Sequence, residues 1–300
     1  MKKITKAVIT AGGLGTRMLP VAKAIPKEML PIVDKPALQY LVEEAAASGI
    51  TDILIITNRD KHNIDDYFDY SPEYEAKLAP KKDGAQAVAA MRSVADLARI
   101  FYVRQKETRG LGHAVLQARS FVGDDDFIVM YGDDVIISDT VPVCRQLIET
   151  YERYGGGVGV AGVSRVSRED ISRYCSLKVE QADTPGEFFV SDMVEKPDAP
   201  EKIFSDLAIL GRVLLTPEIF DILERQPTGY GGELQLTDAM QTFSRSRERG
   251  MMARIFEGRR HDIGDKLGFL KANVEEGLRH PELGAAFAEY LRERMNKKGL

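Results

Sequence analysis

Cysteine is scarce in this chain. Only Cys144 and Cys175 occur among 300 residues, too few for a disulfide framework, and no Cys/His spacing suits zinc. Long apolar runs are also missing. The stretch in MKKITKAVITAGG is too short for a signal-peptide core and stops at a glycine turn, so neither export nor a membrane span is expected, and a cytoplasmic location is. Positive charge is not in excess: 41 Lys+Arg stand against 46 Asp+Glu, a formal net charge of −5. That balance argues against broad binding of nucleic acid, while leaving room for a local basic cluster that holds phosphates. No GxSxG or HExxH pattern is found either, so a serine hydrolase and a zinc protease are not indicated. What is present is an ordinary globular composition, 44% hydrophobic and 29% charged, on a chain long enough to bury a large core.

Short β-rich runs alternate with amphipathic segments. Ala7 to Thr10 reads as a buried strand running into Ala11-Gly12-Gly13-Leu14-Gly15. The prolines between Pro20 and Pro36 exclude a helix there. Ala37 to Ser48 has a helical apolar period, with Gly49 as its C-terminal stop. Asp52 to Thr57, Ile100 to Val103 and Phe127 to Tyr131 read as strands buried on both faces, with a helical stretch from His113 to Arg119. This alternation predicts an α/β fold with a Rossmann-like, doubly wound, mostly parallel or mixed sheet and helices on both faces. Beyond Gly155, GGGVGVAGV reads as a further core strand, and 177–180 and 188–194 as shorter, antiparallel ones. Helices are expected at 216–224, 234–245, 266–279 and 281–297. No repeat or linker is visible, so a single domain over 1–300 is expected. Within it three stretches are distinguished, roughly 1–150, 151–265 and the C-terminal helices 266–300.

The glycine turn sits at the carboxyl end of the first strand, where open α/β sheets bind ligands. It is neither a dinucleotide fingerprint, since Met18 stands where the third glycine belongs, nor a Walker A loop, since no Gly-Lys-Ser/Thr closes it. Its glycines let backbone amides approach an anion, and Arg17, Lys23 and Lys27 follow. A bare GGxG reads equally well as a tight surface turn. Gln105, before Gly110-Leu111-Gly112, offers the mixed donor and acceptor edge that suits a pyrimidine, though a lone glutamine there is more often a surface residue. Gly132-Asp133-Asp134 closes a strand with two carboxylates, a natural Mg²⁺ arrangement or a solvated acidic turn. Glu195-Lys196-Pro197 taken alone is a surface charge pair.

The longer string AGGLGTRMLPVAKAIPKEMLPIVDKP resembles the GxGTRxxPxTKxxPKEMLP signature of the bacterial UTP–glucose-1-phosphate uridylyltransferases, or UDP-glucose pyrophosphorylases, of the sugar nucleotidyltransferase family. RQ…GLGHA, VEKP, YGGELQLTD, RHDIG and the helices from Lys266 extend the resemblance over essentially the whole chain. It implies the nucleotide-diphospho-sugar transferase fold, with 1–150 as the nucleotide-binding half and 151–265 as the sugar-binding half. The implied reaction makes UDP-glucose and pyrophosphate from UTP and glucose 1-phosphate, by Mg²⁺-assisted in-line attack of the sugar phosphate on the α-phosphorus. It assigns Arg17 and Lys27 to the triphosphate and Lys196 to the sugar phosphate. Asp133 and Asp262 become the metal ligands. Ala11, Gly12, Gly13, Glu28, Gln105, Gly110, Gly112, Asp134, Cys175 and Glu195 become substrate-binding residues, with Asp134 near the nucleoside. A homodimer or homotetramer is implied as well.

The chain departs from the family pattern at Ala22 (usually Thr), Cys175 (usually Gly), His261 (usually Tyr), Ile263 (usually Cys) and Val213 (usually Tyr). A cysteine in place of glycine adds a side chain where backbone would approach a sugar hydroxyl. His261 alone reads as packing rather than catalysis. Two rival readings remain at this point. One is a glucose-1-phosphate thymidylyltransferase or a related enzyme with another sugar preference. The other is a catalytically weak, nucleotide-sugar-binding regulatory paralogue.

Overall fold

The computed structural model describes residues 2–246 and 249–298; of the expected C-terminal stretch, 299–300 lie outside them. The chain starts with β1 (Lys6–Thr10). The proline-rich segment forms only single 3-10 turns and a small hairpin, β2 (Pro31–Ile32) and β3 (Lys35–Pro36). Helix α1 (Ala37–Ala47) ends at Ser48 with Gly49 at φ 89°, a left-handed stop of the kind glycine supplies. Then come β4 (Asp52–Thr57), the short helices α2 (Asn63–Tyr67), α3 (Pro72–Leu78) and α4 (Gly84–Ala95), and β5 (Arg99–Arg104). The helical stretch expected at 113–119 is two pieces, α5 (Leu111–Leu116) and α6 (Arg119–Val122). They lead to β6 (Phe127–Tyr131), β7 (Asp134–Ile137) and α7 (Val143–Arg153).

The second half contributes β8 (Gly159–Arg165), β9 (Cys175–Gln181), β10 (Glu187–Glu195) and β11 (Leu207–Leu215). Helices α8 (Glu218–Arg225) and α9 (Leu236–Ser246), strands β12 (Met251–Ile255) and β13 (Arg259–Asp262), and helices α10 (Lys266–Arg279) and α11 (Gly284–Lys298) follow. Nine strands form one sheet in the order β5-β4-β1-β6-β11-β8-β12-β10-β9. The run β5-β4-β1-β6 is parallel, in register from Lys6 opposite Asp52 and Phe127. β11 is antiparallel to both its neighbours, and β9 and β10 form an antiparallel pair. The sheet is therefore mixed, with its parallel character concentrated in the first half. Among the described residues, no helix is long and apolar enough to cross a membrane.

Successive side chains of β1 point to opposite faces. Ala7 and Ile9 enter a core layer with Leu38 and Leu41 of α1 and Leu147 of α7. Val8 enters the other, with Val115 of α5, Phe220 of α8 and Phe243 of α9. Helices thus cover both faces. One expectation fails: Ile100 to Val103 is not buried on both faces. β5 is an edge strand, and Phe101 is exposed.

A charged pair lies inside this apolar framework. Arg212 on β11 is fully buried and donates to Glu44 of α1, Nε to Oε1 at 3.0 Å and Nη2 to Oε2 at 2.6 Å. Its Nη1 donates to the Asp134 carbonyl at 2.9 Å, tying α1 and β11 to the strand that bears the acidic residues.

Candidate active site

The carboxyl ends of β1 and β6 lie side by side, so the glycine turn after Thr10 and Gly132-Asp133-Asp134 after Tyr131 open into one crevice. Two cavities meet there. One, of about 410 Å³, is lined by Gly12, Gly13, Lys27, Gln105, Gly110 and Asp133, among others. The second, of about 560 Å³, is lined by Arg17, Asp133, Asp134, Cys175, Glu195, Lys196, Tyr230, Arg260 and Asp262, among others. Leu111, Tyr131 and Asp133 belong to both walls.

Asp262 reaches the crevice because β13 pairs with β7, setting Asp262 opposite Asp134 and His261 opposite Val135. Asp265 then caps α10, its carboxylate accepting from the Gly268 N–H at 2.9 Å. A Cβ placed on Gly264 would lie 2.6 Å from Arg17 Nη2, 2.9 Å from Asp133 Oδ2 and 3.0 Å from Asp262 Oδ1. One cation and two carboxylates, from three distant segments, therefore converge on the space that a missing side chain leaves open. Gly264 is not among the glycines with positive φ, so alanine fits its backbone. Gly264→Ala is expected to leave the unfolding midpoint nearly unchanged and to lower turnover by about 10²-fold, the scale set by ångström misplacement of catalytic groups. Chemical denaturation beside steady-state kinetics checks both halves.

Lys27 is ion-paired with Asp133. Burial works against its charge, but Asp133 and Glu28 hold the ammonium above the ordinary lysine range. Burial likewise works against the Asp133 carboxylate, and Lys27 with Arg17 still keeps it below the usual carboxylate range. Asp134 behaves oppositely. Burial pushes it up to about 7 although Arg260 Nη2 lies 2.5 Å from its Oδ1. Arg260 also sits 3.5 Å from Asp262 Oδ2 and packs on the Tyr174 ring at 5.3 Å.

Across the larger cavity, Cys175 and Glu195 are paired in the β9–β10 ladder, so both reach one wall. Burial pushes the Cys175 thiol well above its usual range and raises Glu195, against the pull of Lys196. Lys196 has a φ of 45°, rare for a residue with a side chain. Its Nζ lies 4.9 Å from the Tyr230 ring centre and 3.7 Å from Glu195 Oε1.

Several expected substrate contacts are placed differently. Asp134 lines the larger cavity rather than the one beside the glycine turn, because its pairing with Arg260 and β13 turns it there. Glu28 does line the smaller cavity, but it is fully buried and both its carboxylate oxygens accept from Lys61, at 2.9 and 2.7 Å, so it also anchors the turn. Ala11 is buried too, its carbonyl accepting from Lys61 and its N–H donating to Ile56. The Gly112 N–H donates to the Leu234 carbonyl at 2.8 Å, and a Cβ there would meet Leu223 and Leu234 at 2.8 Å. Gly112 thus serves close packing under α9. Gly110 does line the smaller cavity, at φ 102°.

Gln105 is 4% exposed at the base of that cavity, donating to His113 Nδ1 at 2.8 Å and leaving its carbonyl oxygen beside Gly12. His113 is the residue that fixes this glutamine, and only its place in GLGHA could have signalled it. Lys61, Asn58 and Arg260 were also not singled out, because in sequence they are isolated polar residues. His261 packs as expected, Nε2 lying 2.9 Å from Glu276 of α10. Val213 sits in the sheet core between Val129 and Ala161, away from the crevice.

Among the described residues, no group of three or more His, Cys, Asp and Glu is arranged to hold a metal. The donor set that does converge, Asp133 and Asp262, suits Mg²⁺, which takes one or two carboxylates and completes its shell with substrate phosphates and water.

A doubly wound mixed sheet with a glycine turn, two facing carboxylates and flanking cations at its switch point defines a phosphate-transferring nucleotide enzyme. The chain belongs to the nucleotidyl transferase family, whose pattern it matches over residues 6–277. It is 50% identical over 291 residues to UTP–glucose-1-phosphate uridylyltransferase YngB of Bacillus subtilis, covering 97% of this chain and 95% of that protein. It is 46% identical over 292 residues to the UTP–glucose-1-phosphate uridylyltransferase of Streptococcus pneumoniae, covering 96% and 95%. Among solved structures it is similar to the UTP-bound UGPase from Acinetobacter baumannii, with a TM-score of 0.89, 35% identity, and coverage of 97% and 99%. A UDP-glucose pyrophosphorylase complexed with UDP-glucose gives a TM-score of 0.81, 37% identity, and coverage of 91% and 98%.

Proposed function

We propose that this protein is a UTP–glucose-1-phosphate uridylyltransferase, forming UDP-glucose and pyrophosphate from UTP and glucose 1-phosphate. The observation that carries the reading is the meeting of Arg17, Asp133 and Asp262 around Gly264, in the larger cavity, with Asp133 also lining the smaller one. Full-length similarity to uridylyltransferases supports it. UTP fits the cavity with the glycine turn and Gln105, and the sugar phosphate fits the cavity with Glu195 and Lys196.

The phosphate monoester is itself the nucleophile, so the protein needs no serine, cysteine or histidine for attack. Its residues contribute position and charge. Arg17 and Lys27 orient the triphosphate so that pyrophosphate leaves in line. Lys196 neutralises the incoming sugar phosphate, and Glu195 accepts from sugar hydroxyls. Asp133 and Asp262 would hold a divalent ion, proposed to be Mg²⁺, which when bound supplies charge neutralisation at the reacting phosphate. The continuous sheet supports reading 1–300 as one unit with appended helices; a homodimer or homotetramer and a cytoplasmic location are proposed from the family resemblance alone. No partnership with nucleic acid or membrane is proposed.

Pyrophosphate release tests this with four nucleoside triphosphates against glucose, galactose and N-acetylglucosamine 1-phosphates. UTP with glucose 1-phosphate is expected to be fastest, and EDTA to abolish the rate until Mg²⁺ is restored. A preference for dTTP indicates a thymidylyltransferase. No release from any pair overturns the enzyme and leaves the regulatory paralogue.

A further inference from the structure

The glycine turn is a thin wall with a cavity on each side. The nucleotide-facing cavity lies on one side, and a smaller one of about 300 Å³, lined in part by Asn58, Asp60 and Lys61, lies on the other. From that rear side two donors grip the turn. Lys61 Nζ donates to the Ala11 carbonyl at 2.5 Å, and Asn58 Nδ2 donates to the Gly12 carbonyl at 2.8 Å. Neither donor is loose. Lys61 is 6% exposed and locked on both oxygens of Glu28. Asn58 Oδ1 accepts from the Asp60 N–H at 3.0 Å, which closes the short loop that carries it.

The Ala11–Gly12 and Gly12–Gly13 peptides are trans, the one cis bond in the described residues being Leu19–Pro20. In a trans peptide the C=O and N–H point in opposite directions. Holding the two carbonyls from behind therefore aims the Gly12 and Gly13 N–H groups forward, Gly12 beside Gln105 and Gly13 beside Lys27. Among the described residues, neither N–H is given to a protein acceptor. Successive free amides beside a lysine form an anion-binding concavity.

We propose that Asn58 and Lys61 are positioning residues that preset the glycine turn for its nucleotide, with Asn58 aiming the Gly13 amide at the triphosphate. The inference rests on the uridylyltransferase reading. Glycine lets backbone approach a ligand but also leaves the peptide free to rotate, and the two rear donors remove that freedom before binding.

The test measures affinity by calorimetry for UTP and for uridine, which has no phosphate, and KM for both substrates. Asn58→Asp keeps the acceptor for Asp60 and loses the donor to Gly12. Asn58→Ala loses the donor without adding charge. Both are expected to raise the UTP Kd and KM about tenfold, the effect of about 1.4 kcal/mol, with the uridine Kd and the glucose-1-phosphate KM unchanged. Asn58→His, which can still donate, is expected to recover part of the loss. Lys61→Met risks misfolding because it strands Glu28, so Lys61→Met with Glu28→Met is the form to use, and it is expected to weaken UTP in the same way. Unchanged UTP affinity in Asn58→Ala overturns the proposal. So does equal weakening of UTP and uridine, or a loss confined to Asn58→Asp, which is charge repulsion alone. If the unaltered protein binds no UTP, the uridylyltransferase reading fails first.

Discussion

Lys196→Ala is expected to lower kcat by about 10²–10³-fold, the cost of removing one preorganised electrostatic group, roughly 3–4 kcal/mol. Geometry makes this lysine hard to replace. Its backbone adopts a φ of 45°, its N–H donates to the Tyr174 carbonyl at 2.9 Å, and its ammonium lies over the Tyr230 ring. The charge is thus held at one point of the larger cavity, which Asp133 and Asp262 also line. Lys196→Arg keeps the charge, yet a planar fork replaces a compact ammonium, so recovery is expected to be incomplete. Pyrophosphate release at saturating UTP, with glucose 1-phosphate varied, measures the effect. A variant with unaltered turnover removes Lys196 from the reaction.

The largest effect on stability is expected at Arg212→Met. Glu44 loses the three contacts that Arg212 gives it, and a carboxylate stays stranded in the core. Breaking a buried pair in this way costs about 3–5 kcal/mol, while replacing both partners by apolar residues of similar size is often neutral. Arg212→Met is therefore expected to shift the denaturation midpoint strongly downward, and Glu44→Leu with Arg212→Met to restore most of it. Equal destabilisation by the single and double variants would show that the pair's geometry, rather than its stranded charge, matters. Activity in the double variant reads a further role, because Arg212 also holds the Asp134 carbonyl.

Much of this was legible in the sequence, for identifiable reasons. β1, β4 and β6 are short apolar runs that leave one reading, and α10 spans Lys266–Arg279, the bounds expected for it. Gly12-Gly13 and Asp133 are chemically apt for phosphate but read alone as surface turns, so it is the resemblance to the family strings that marks them, and Asp262, as one crevice. β5 misled because an apolar run says nothing about how many neighbours its strand has. The roles of Glu28 and Asp134 are not legible for a different reason. A carboxylate inside a motif can face the ligand or anchor the motif, and only the positions of Lys61 and Arg260 decide which. Nothing in Leu207–Leu215 betrays that its arginine spans the core to Glu44, since that pairing exists only once α1 and β11 are packed.

The shared wall of the two cavities has an evolutionary corollary. Leu111, Tyr131 and Asp133 are the residues that line both, so a substitution elsewhere reshapes one cavity at a time. Tyr174, Cys175 and Thr237 line only the larger cavity. The scaffold is modular in that sense. Substitutions at Cys175 and its neighbours can therefore reshape that cavity while the walls that belong to the other alone stay as they are.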